Sequence, residues 1–257
     1  MAATATLIHP LDTKKLVLYT CSPTSQVEKT NKGVVKNPSS FAGLTIDGLP
    51  YVFGVREDNV LCSVSPSFEA LSTKPETAAN WSSLAACESS TAQWVYYFAK
   101  GDQIQRVHEL NIGNSGHTTL TRSNPVDGSY LAAFYVPKGN ARYVIYQASG
   151  TLMYMDAVKN VETPVSDNLL PRGKTPLAAC TIGDAGYLFY AGASNQLVVG
   201  SFNGSEWTVK DAKGADEVNA ATNITAVPLD DSGKKKIYVF YITSSGTTYS
   251  LYAYDCA

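Results

Sequence analysis

Few residues in this chain sit where residue type and spacing suggest chemistry, and His9 stands out most. The segment Thr6-Leu7-Ile8-His9-Pro10 is the weakest of six related copies, and at the place of His9 the others carry Gly43, Ala86, Ala133, Ala179 and Ala226. An imidazole among five small residues could project into or beside a central channel and exchange a proton near neutral pH. The competing reading is a first copy distorted by Pro10. Arg106 is the second candidate, at a place where other copies carry Cys62, Tyr154, Val199 and Ala253. Its guanidinium could polarise a ligand carbonyl, and an ion pair to Glu109 or Asp102 is the structural alternative. Trp94, Tyr130, Phe134, Tyr143, Tyr187, Tyr238 and Trp207 could wall an apolar substrate pocket, although rings of this kind more often serve as core. Arg142 reads as an edge charge, and His108 and His117 as solvated residues in or near a polar loop.

Several kinds of site are missing. The chain has no G-x-S-x-G elbow, H-E-x-x-H, Walker loop or G-x-G-x-x-G. No spacing of Ser, His and Asp picks out a triad, and no pair of carboxylates suggests a glycosidase. Metal and nucleotide cofactors are therefore not expected. The five cysteines, at 21, 62, 87, 180 and 256, form no C-x-x-C. They read as free thiols of a reducing compartment. Cys21 and Cys256 would become a candidate pair if the chain ends met in an oxidising setting.

The elements that must position these residues come from an internal repeat. Ser83-Leu84-Ala85-Ala86-Cys87 recurs as Tyr130-Leu131-Ala132-Ala133-Phe134 and as Pro176-Leu177-Ala178-Ala179-Cys180. Weaker copies begin at Ser40 and Asn223, and the weakest at Thr6. The leading apolar residue sits at 7, 41, 84, 131, 177 and 224. A second strand follows each: Leu16–Tyr19, Tyr51–Gly54, Trp94–Tyr97, Tyr143–Tyr146, Tyr187–Tyr190 and Tyr238–Tyr241. Large and aliphatic residues alternate there with no polar side, which predicts strands buried on both faces. Polar turns such as Ser149-Gly150 lead into third strands at Val60–Cys62, Ile104–Arg106, Leu152–Tyr154, Leu197–Val199 and Leu251–Ala253. A more polar fourth strand follows in some copies, as at Glu206–Val209. Small antiparallel sheets with two apolar faces must pack face to face, and closing the ring protects their edges. The expectation is an all-β chain, one six-bladed β-propeller over residues 1–257, with residues 2–6 supplying the outer strand of the last blade.

Composition agrees. Of 257 residues, 44% are apolar, 16% are charged and 16 are Tyr, which favours strands and turns. A net charge of −2 with no basic face argues against nucleic acid. No segment approaches the ~20 apolar residues of a membrane helix. The first residues lack a secretion signal, so a cytoplasmic location is expected, with the sequons at Asn80, Asn203 and Asn223 unglycosylated.

Repeats of this length and order resemble the fungal fucose-binding lectins, which are six-bladed propellers, across nearly the whole chain. The resemblance implies the same fold. It also implies where a sugar site would lie: those lectins place an Arg in an Ile-Arg-Val-Tyr-Tyr second strand, a Glu on the third and a Trp on the fourth. Arg and Glu hydrogen-bond the hydroxyls, and Trp stacks on the apolar face. In this chain the Arg slot holds Leu16, Tyr51, Trp94, Tyr143, Tyr187 and Tyr238. Glu28 is the plausible third-strand acid and Trp207 the matching fourth-strand Trp, and no copy keeps all three. An ionic site fails when a ring replaces its donor, so the expectation is a shared fold with lost fucose sites. The chain also resembles the lectin-like fungal enzymes that catalyse intermolecular hetero-Diels–Alder reactions in tropolone sesquiterpenoid pathways. That resemblance implies a cofactor-independent enzyme of secondary metabolism. It would hold an apolar terpene- or polyketide-like substrate among rings, with His9 or Arg106 as the polarising group. The alternatives are a carbohydrate-binding lectin with altered or lost fucose specificity, whose partner is a glycan, and a propeller that binds proteins.

Overall fold

A computed structural model describes residues 3–9, 12–21, 35, 40–71, 83–100, 104–166, 170–220, 222–231 and 233–256. The regular elements among them are all β-strands, and the chain divides into two compact units, Met1–Gly128 and Ser129–Ala257.

In the first unit, β1 (Ala3–His9) and β2 (Asp12–Cys21) form a two-stranded sheet. A four-stranded sheet follows, from β3 (Ala42–Ile46), β4 (Leu49–Val55), β5 (Leu61–Ser65) and β6 (Glu69–Ala70). The next comprises β7 (Leu84–Glu88), β8 (Gln93–Lys100), β9 (Gln105–Asn111) and β10 (Gly116–Leu120). The second unit repeats the scheme. Its sheets are β11 (Ala132–Val136) to β14 (Val161–Pro164), with β12 (Ala141–Ala148) and β13 (Thr151–Asp156) between them. Then come β15 (Leu177–Ile182), β16 (Ala185–Ala191), β17 (Leu197–Phe202) and β18 (Trp207–Asp211). The last sheet has three strands among the described residues: β19 (Thr225–Asp231), β20 (Lys234–Ile242) and β21 (Tyr249–Asp255). Every sheet is an antiparallel meander in chain order, as short hairpin links require.

The second strands β4, β8, β12 and β16 are buried on both faces, whereas Leu16–Tyr19 of β2 are half-buried and β20 alternates buried Val239 and Tyr241 with half-buried Tyr238 and Phe240. Val144, Ile145 and Tyr146 are all fully enclosed, as are Leu188 and Phe189. Within each unit the first strands of successive sheets lie side by side: β1, β3 and β7 in one, β11, β15 and β19 in the other. Small residues there permit close approach. A Cβ on Gly43 would sit 3.0 Å from a methyl of Leu7. The hairpin β12–β13 turns through Ser149 and Gly150, both left-handed (φ 48° and 86°), as a tight two-residue turn demands.

Three elements depart from the sequence expectation. Residues 3–6 belong to β1, which pairs with β2 from Ala3↔Cys21 onward, and the last sheet has three strands among the described residues. The pairing also resets the place of His9. Val17, the residue matching Val52, Val95, Val144, Leu188 and Val239, pairs with Leu7, so Leu7 corresponds to Gly43, Ala86, Ala133, Ala179 and Ala226. His9 lies beyond a bulge, opposite Asp12. Finally, β9 runs past the expected third strand, since β8 extends to Lys100 and shifts the register. Ala99 pairs with Arg106, while Tyr96 pairs with Glu109, so Glu109 corresponds to Tyr154 and Val199.

Buried hydroxyls recur just ahead of the first strands. In the second unit, Ser129 Oγ accepts the Gln147 N–H at 2.8 Å, Thr175 Oγ1 the Ala191 N–H at 3.0 Å, and Thr222 Oγ1 the Ile242 N–H at 2.9 Å. Each fixes the entry of a first strand to the end of the second. All three residues are enclosed, so deleting the acceptor strands an amide N–H out of reach of water. Thr175→Val is expected to lower the unfolding free energy by about 1–3 kcal/mol and Thr175→Ser by much less. Denaturant unfolding of the two variants checks this, and equal losses would contradict it.

Candidate functional site

The rings with the best geometry for a ligand lie in the second unit, where sheet β11–β14 meets sheet β15–β18. Phe134 pairs with Tyr143 across β11–β12, Tyr143 with Asp156 across β12–β13, and Ile145 with Tyr154. Strand alternation therefore puts Phe134, Tyr143 and Tyr154 on one face. The facing sheet contributes Phe202 and Trp207, a direct pair across β17–β18. The five rings interlock. Phe134 lies 5.2 Å from Tyr143 and 5.8 Å from Trp207, and Tyr143 lies 5.0 Å from Phe202. Tyr154 lies 5.9 Å from Trp207, and Phe202 and Trp207 are 5.0 Å apart at 34°. Such tilted and edge contacts are what ring quadrupoles favour.

Two glycines make room for this cluster. A Cβ on Gly186 would lie 2.2 Å from a Phe134 ring carbon, and one on Gly200 would lie 3.1 Å from the Trp207 indole. Neither needs unusual backbone angles, so each is there for close approach. Phe134 and Phe202 are fully enclosed and form a rigid base. Tyr154 and Trp207 remain partly exposed above it. Trp207 Nε1 is enclosed without a hydrogen-bond acceptor. Desolvation, and next the nearby Asp156 carboxylate, raise the Tyr143 phenol above its ordinary range. Asp156 itself accepts the Val158 and Lys159 N–H groups and pairs with Lys159 Nζ at 3.2 Å.

The next junction follows the same plan. Tyr187 of β16 meets Tyr254 of β21 at 6.0 Å, Phe189 meets it at 5.9 Å, and Lys210 Nζ lies 5.6 Å over the Tyr254 ring. Burial, with Cys256 alongside, pushes the Tyr187 phenol up to about 12. In the first unit Tyr51 and Ile112 pack on one core cluster. The two junctions of the second unit share a plan: Tyr143 packs on Phe202 and Tyr187 on Tyr254, each a second-strand residue against a ring near the end of the third strand of the following sheet.

Of the residues singled out from sequence, Phe134, Tyr143 and Trp207 come together here. Tyr187 belongs to the neighbouring cluster. Tyr238 is half-buried on β20, opposite Val227 and Ala253. Tyr130 is enclosed ahead of β11, its phenol raised by burial. Trp94 is enclosed on β8 between Cys87 and Asn111. Arg106 donates to the Ser123 carbonyl. Its expected ion pair with Glu109 is opposed by strand alternation, which sends residues three apart to opposite faces. Glu109 instead accepts the Tyr96 phenol at 2.7 Å. Asp102 and Glu28 lie outside the described residues, and of His9 only the backbone is described. His117 Nδ1 lies 2.9 Å from the Tyr97 phenol, and His108 Nδ1 lies 3.3 Å from the Thr119 hydroxyl.

Sequence reasoning missed Tyr154, Phe202 and Tyr254 as site residues. Phe202 ends β17 and Tyr254 is the last residue but one of β21, each next to a polar residue, and that recurrence was a usable signal. Glu109 was missed as a third-strand acid because the strand was read as ending too soon.

Two measurements follow. Gly186→Ala drives a methyl into the Phe134 ring and is expected to destabilise the fold by about 1–3 kcal/mol, read by thermal or denaturant unfolding. Unfolding stability is also expected to hold up to about pH 10 and then fall. Tyr187 and Tyr241, both raised to about 12, stay neutral in the folded chain while their unfolded forms ionise from their ordinary value of 10. Phenolate absorbance followed alongside unfolding from pH 9 to 12 checks the sign, and stability rising over that range would contradict it.

No family model matches the sequence. The chain is similar to the wall-associated proteinases of Coccidioides immitis and Coccidioides posadasii. It is 25% identical to each, and the alignments cover 81% of this chain and 76% of each relative. Among solved structures it is similar to AofleA from Arthrobotrys oligospora, with a TM-score of 0.67 and 13% identity over 100% of this chain and 87% of that one. It is similar to the SapL1 lectin solved with α-methyl fucoside, with a TM-score of 0.64 and 16% identity over 87% and 81%. The six-bladed lectin of Aleuria aurantia gives a TM-score of 0.61 at 15% identity over 87% and 80%. These likenesses establish the fold: the chain is an all-β propeller of small antiparallel sheets, built as the fungal fucose-specific lectins are.

Proposed function

We propose that this protein is a carbohydrate-binding propeller that grips a sugar by stacking rather than by an ionic fork. The observation that carries the reading is the pair of partly exposed rings, Trp207 and Tyr154, held 5.9 Å apart on an enclosed base of Phe134 and Phe202. A pyranose has one face of C–H groups, and a rigid ring platform removes it from water without losing side-chain freedom. The resemblance to the fucose lectins implies that Tyr143 occupies the slot of their Arg, and a phenol there offers no guanidinium fork to hold a fucose. The solved relatives support a glycan as ligand, since SapL1 and the Aleuria lectin were solved with fucosides or named for fucose recognition. The wall association in the relatives' names points the same way. Their proteinase activity is not carried over, because no spacing of Ser, His and Asp here picks out a triad.

The six sheets are proposed to be six blades of one ring, supported by their repeat order and by the six-bladed Aleuria lectin.

A second reading is the cofactor-independent cycloaddition enzyme, which the apolar character of the same five rings favours. Its polarising groups are the weaker part. Arg106 is engaged by the Ser123 carbonyl, and the repeat argument for His9 passes to Leu7.

A glycan array followed by calorimetric titration with the best oligosaccharide tests the first reading. Trp207→Ala is expected to weaken binding about tenfold or more, the effect of losing about 1.4 kcal/mol of stacking, while Arg106→Ala leaves it unchanged. An array without hits, together with turnover of a quinone methide and a terpene, would overturn it in favour of the enzyme.

A further inference from the structure

The three sequons, expected to stay bare, are set apart by the structure. Asn80 lies outside the described residues. Asn223 opens Asn223-Ile224-Thr225, and it is 7% exposed with its Oδ1 buried. Ile224 belongs to the second-unit core, and Thr225 begins β19 opposite Phe240. A sugar chain on Asn223 has no room there unless the strand comes away. Asn203 opens Asn203-Gly204-Ser205 in the link between β17 and β18, and residues 203–206 are all exposed.

The Asn203 carboxamide is also held in one orientation. Its Oδ1 accepts the Ser205 N–H, the Ser205 hydroxyl and the Glu206 N–H, each at 2.9 Å. Three donors on one atom settle which end of the amide is oxygen. The other end, Nδ2, makes no hydrogen bond among the described residues. The donors draw charge onto the oxygen and make the Nδ2 protons more acidic. The sequon hydroxyl, that of Ser205, is thus already docked on the acceptor amide. The tip closes where the Asn203 N–H donates to the Glu206 carbonyl at 3.2 Å, with Gly204 left-handed at φ 99°. A Cβ placed on Gly204 meets nothing within 4 Å, so the space around the tip is open.

We propose that Asn203 carries an N-linked glycan and that Asn223 stays bare. The donor is a lipid-linked oligosaccharide diphosphate, used by an oligosaccharyl transferase of a secretory compartment, and a lumenal or secreted location goes with the proposal. Nδ2 attacks C1 of the first sugar. The bond from C1 to the diphosphate oxygen breaks, and the lipid diphosphate leaves with the bonding pair and takes up the Nδ2 proton. Nothing is oxidised or reduced. The glycan stands at the end of the hairpin whose last pair is Phe202↔Trp207, so it borders the ring platform. The proposal does not rest on the carbohydrate-binding reading, and oligosaccharide titration is a separate measurement, so either can fail alone.

The test isolates the native full chain from the cells that make it, with their wall and medium. Half is treated with peptide N-glycosidase in ¹⁸O-labelled water, and peptides are mapped by mass spectrometry. The expected result is a heavier form that collapses to the bare mass, with Asn203 converted to labelled Asp and Asn223 still Asn. Re-expressed in the same cells, Asn203→Gln and Ser205→Ala each lose the glycan at this site, and Ser205→Thr keeps it. Should Asn203→Gln fold poorly, Ser205→Ala reads the same loss with the acceptor in place. Native protein with a bare Asn203 would overturn the proposal, as would folded protein bearing a glycan on Asn223.

Discussion

Everything in this molecule answers to second strands that are apolar on both sides. A strand such as Tyr143–Tyr146, enclosed from end to end, cannot lie at a half-wet surface, so its sheet needs a packed neighbour on each face. Four strands do not make a stable domain alone, and the repeat is the way the chain supplies each sheet with that neighbour. The small residues of the first strands follow from this. They let adjacent sheets approach where they crowd most, as Gly43 does against Leu7. The buried hydroxyls of Ser129, Thr175 and Thr222 follow as well, since each amide at the end of an enclosed strand needs an acceptor that water cannot provide.

The same requirement explains which residues fill the second-strand slots at the sheet junctions. A guanidinium between two sheets is tolerable only with partners for all its donors. Tyr143 and Tyr187 meet the packing demand without charge, and each is matched by Phe202 or Tyr254 from the following sheet. Once that slot is a ring, the space beside it fills with further rings. Gly186 and Gly200 admit Phe134 and Trp207, and of the five ring residues Trp207 and Tyr154 are the ones left partly exposed. An apolar ring cluster fills this junction of the shared fold.

Sequence patterning carried the sheets well and the register less well. The six hairpin cores were legible because aromatic and aliphatic residues recur at nearly constant spacing, and Ser149-Gly150 marked its turn through the left-handed angles such turns need. His9 was misplaced because Thr6-Leu7-Ile8 reads as well two residues out of step, and only the pairing of Leu7 with Val17 fixes it. Arg106 was misplaced because nothing local says that β8 continues to Lys100 before the chain returns. The ring cluster was half legible. Phe134, Tyr143 and Trp207 were in view as aromatics, but their meeting depends on two sheets far apart in sequence and on glycines whose purpose shows only when a Cβ is placed on them.

The central claim is that the Trp207–Tyr154 platform is where a sugar docks. The indole N–H of Trp207 reports on it directly, because it is enclosed without an acceptor and has its own amide-type resonance. Proton–nitrogen spectra recorded while titrating in oligosaccharide should show the Trp207 indole signal moving in proportion to occupancy, with the Trp94 signal still. Movement of Trp94 with Trp207 unchanged, while calorimetry reports binding, would place the sugar elsewhere and contradict the account.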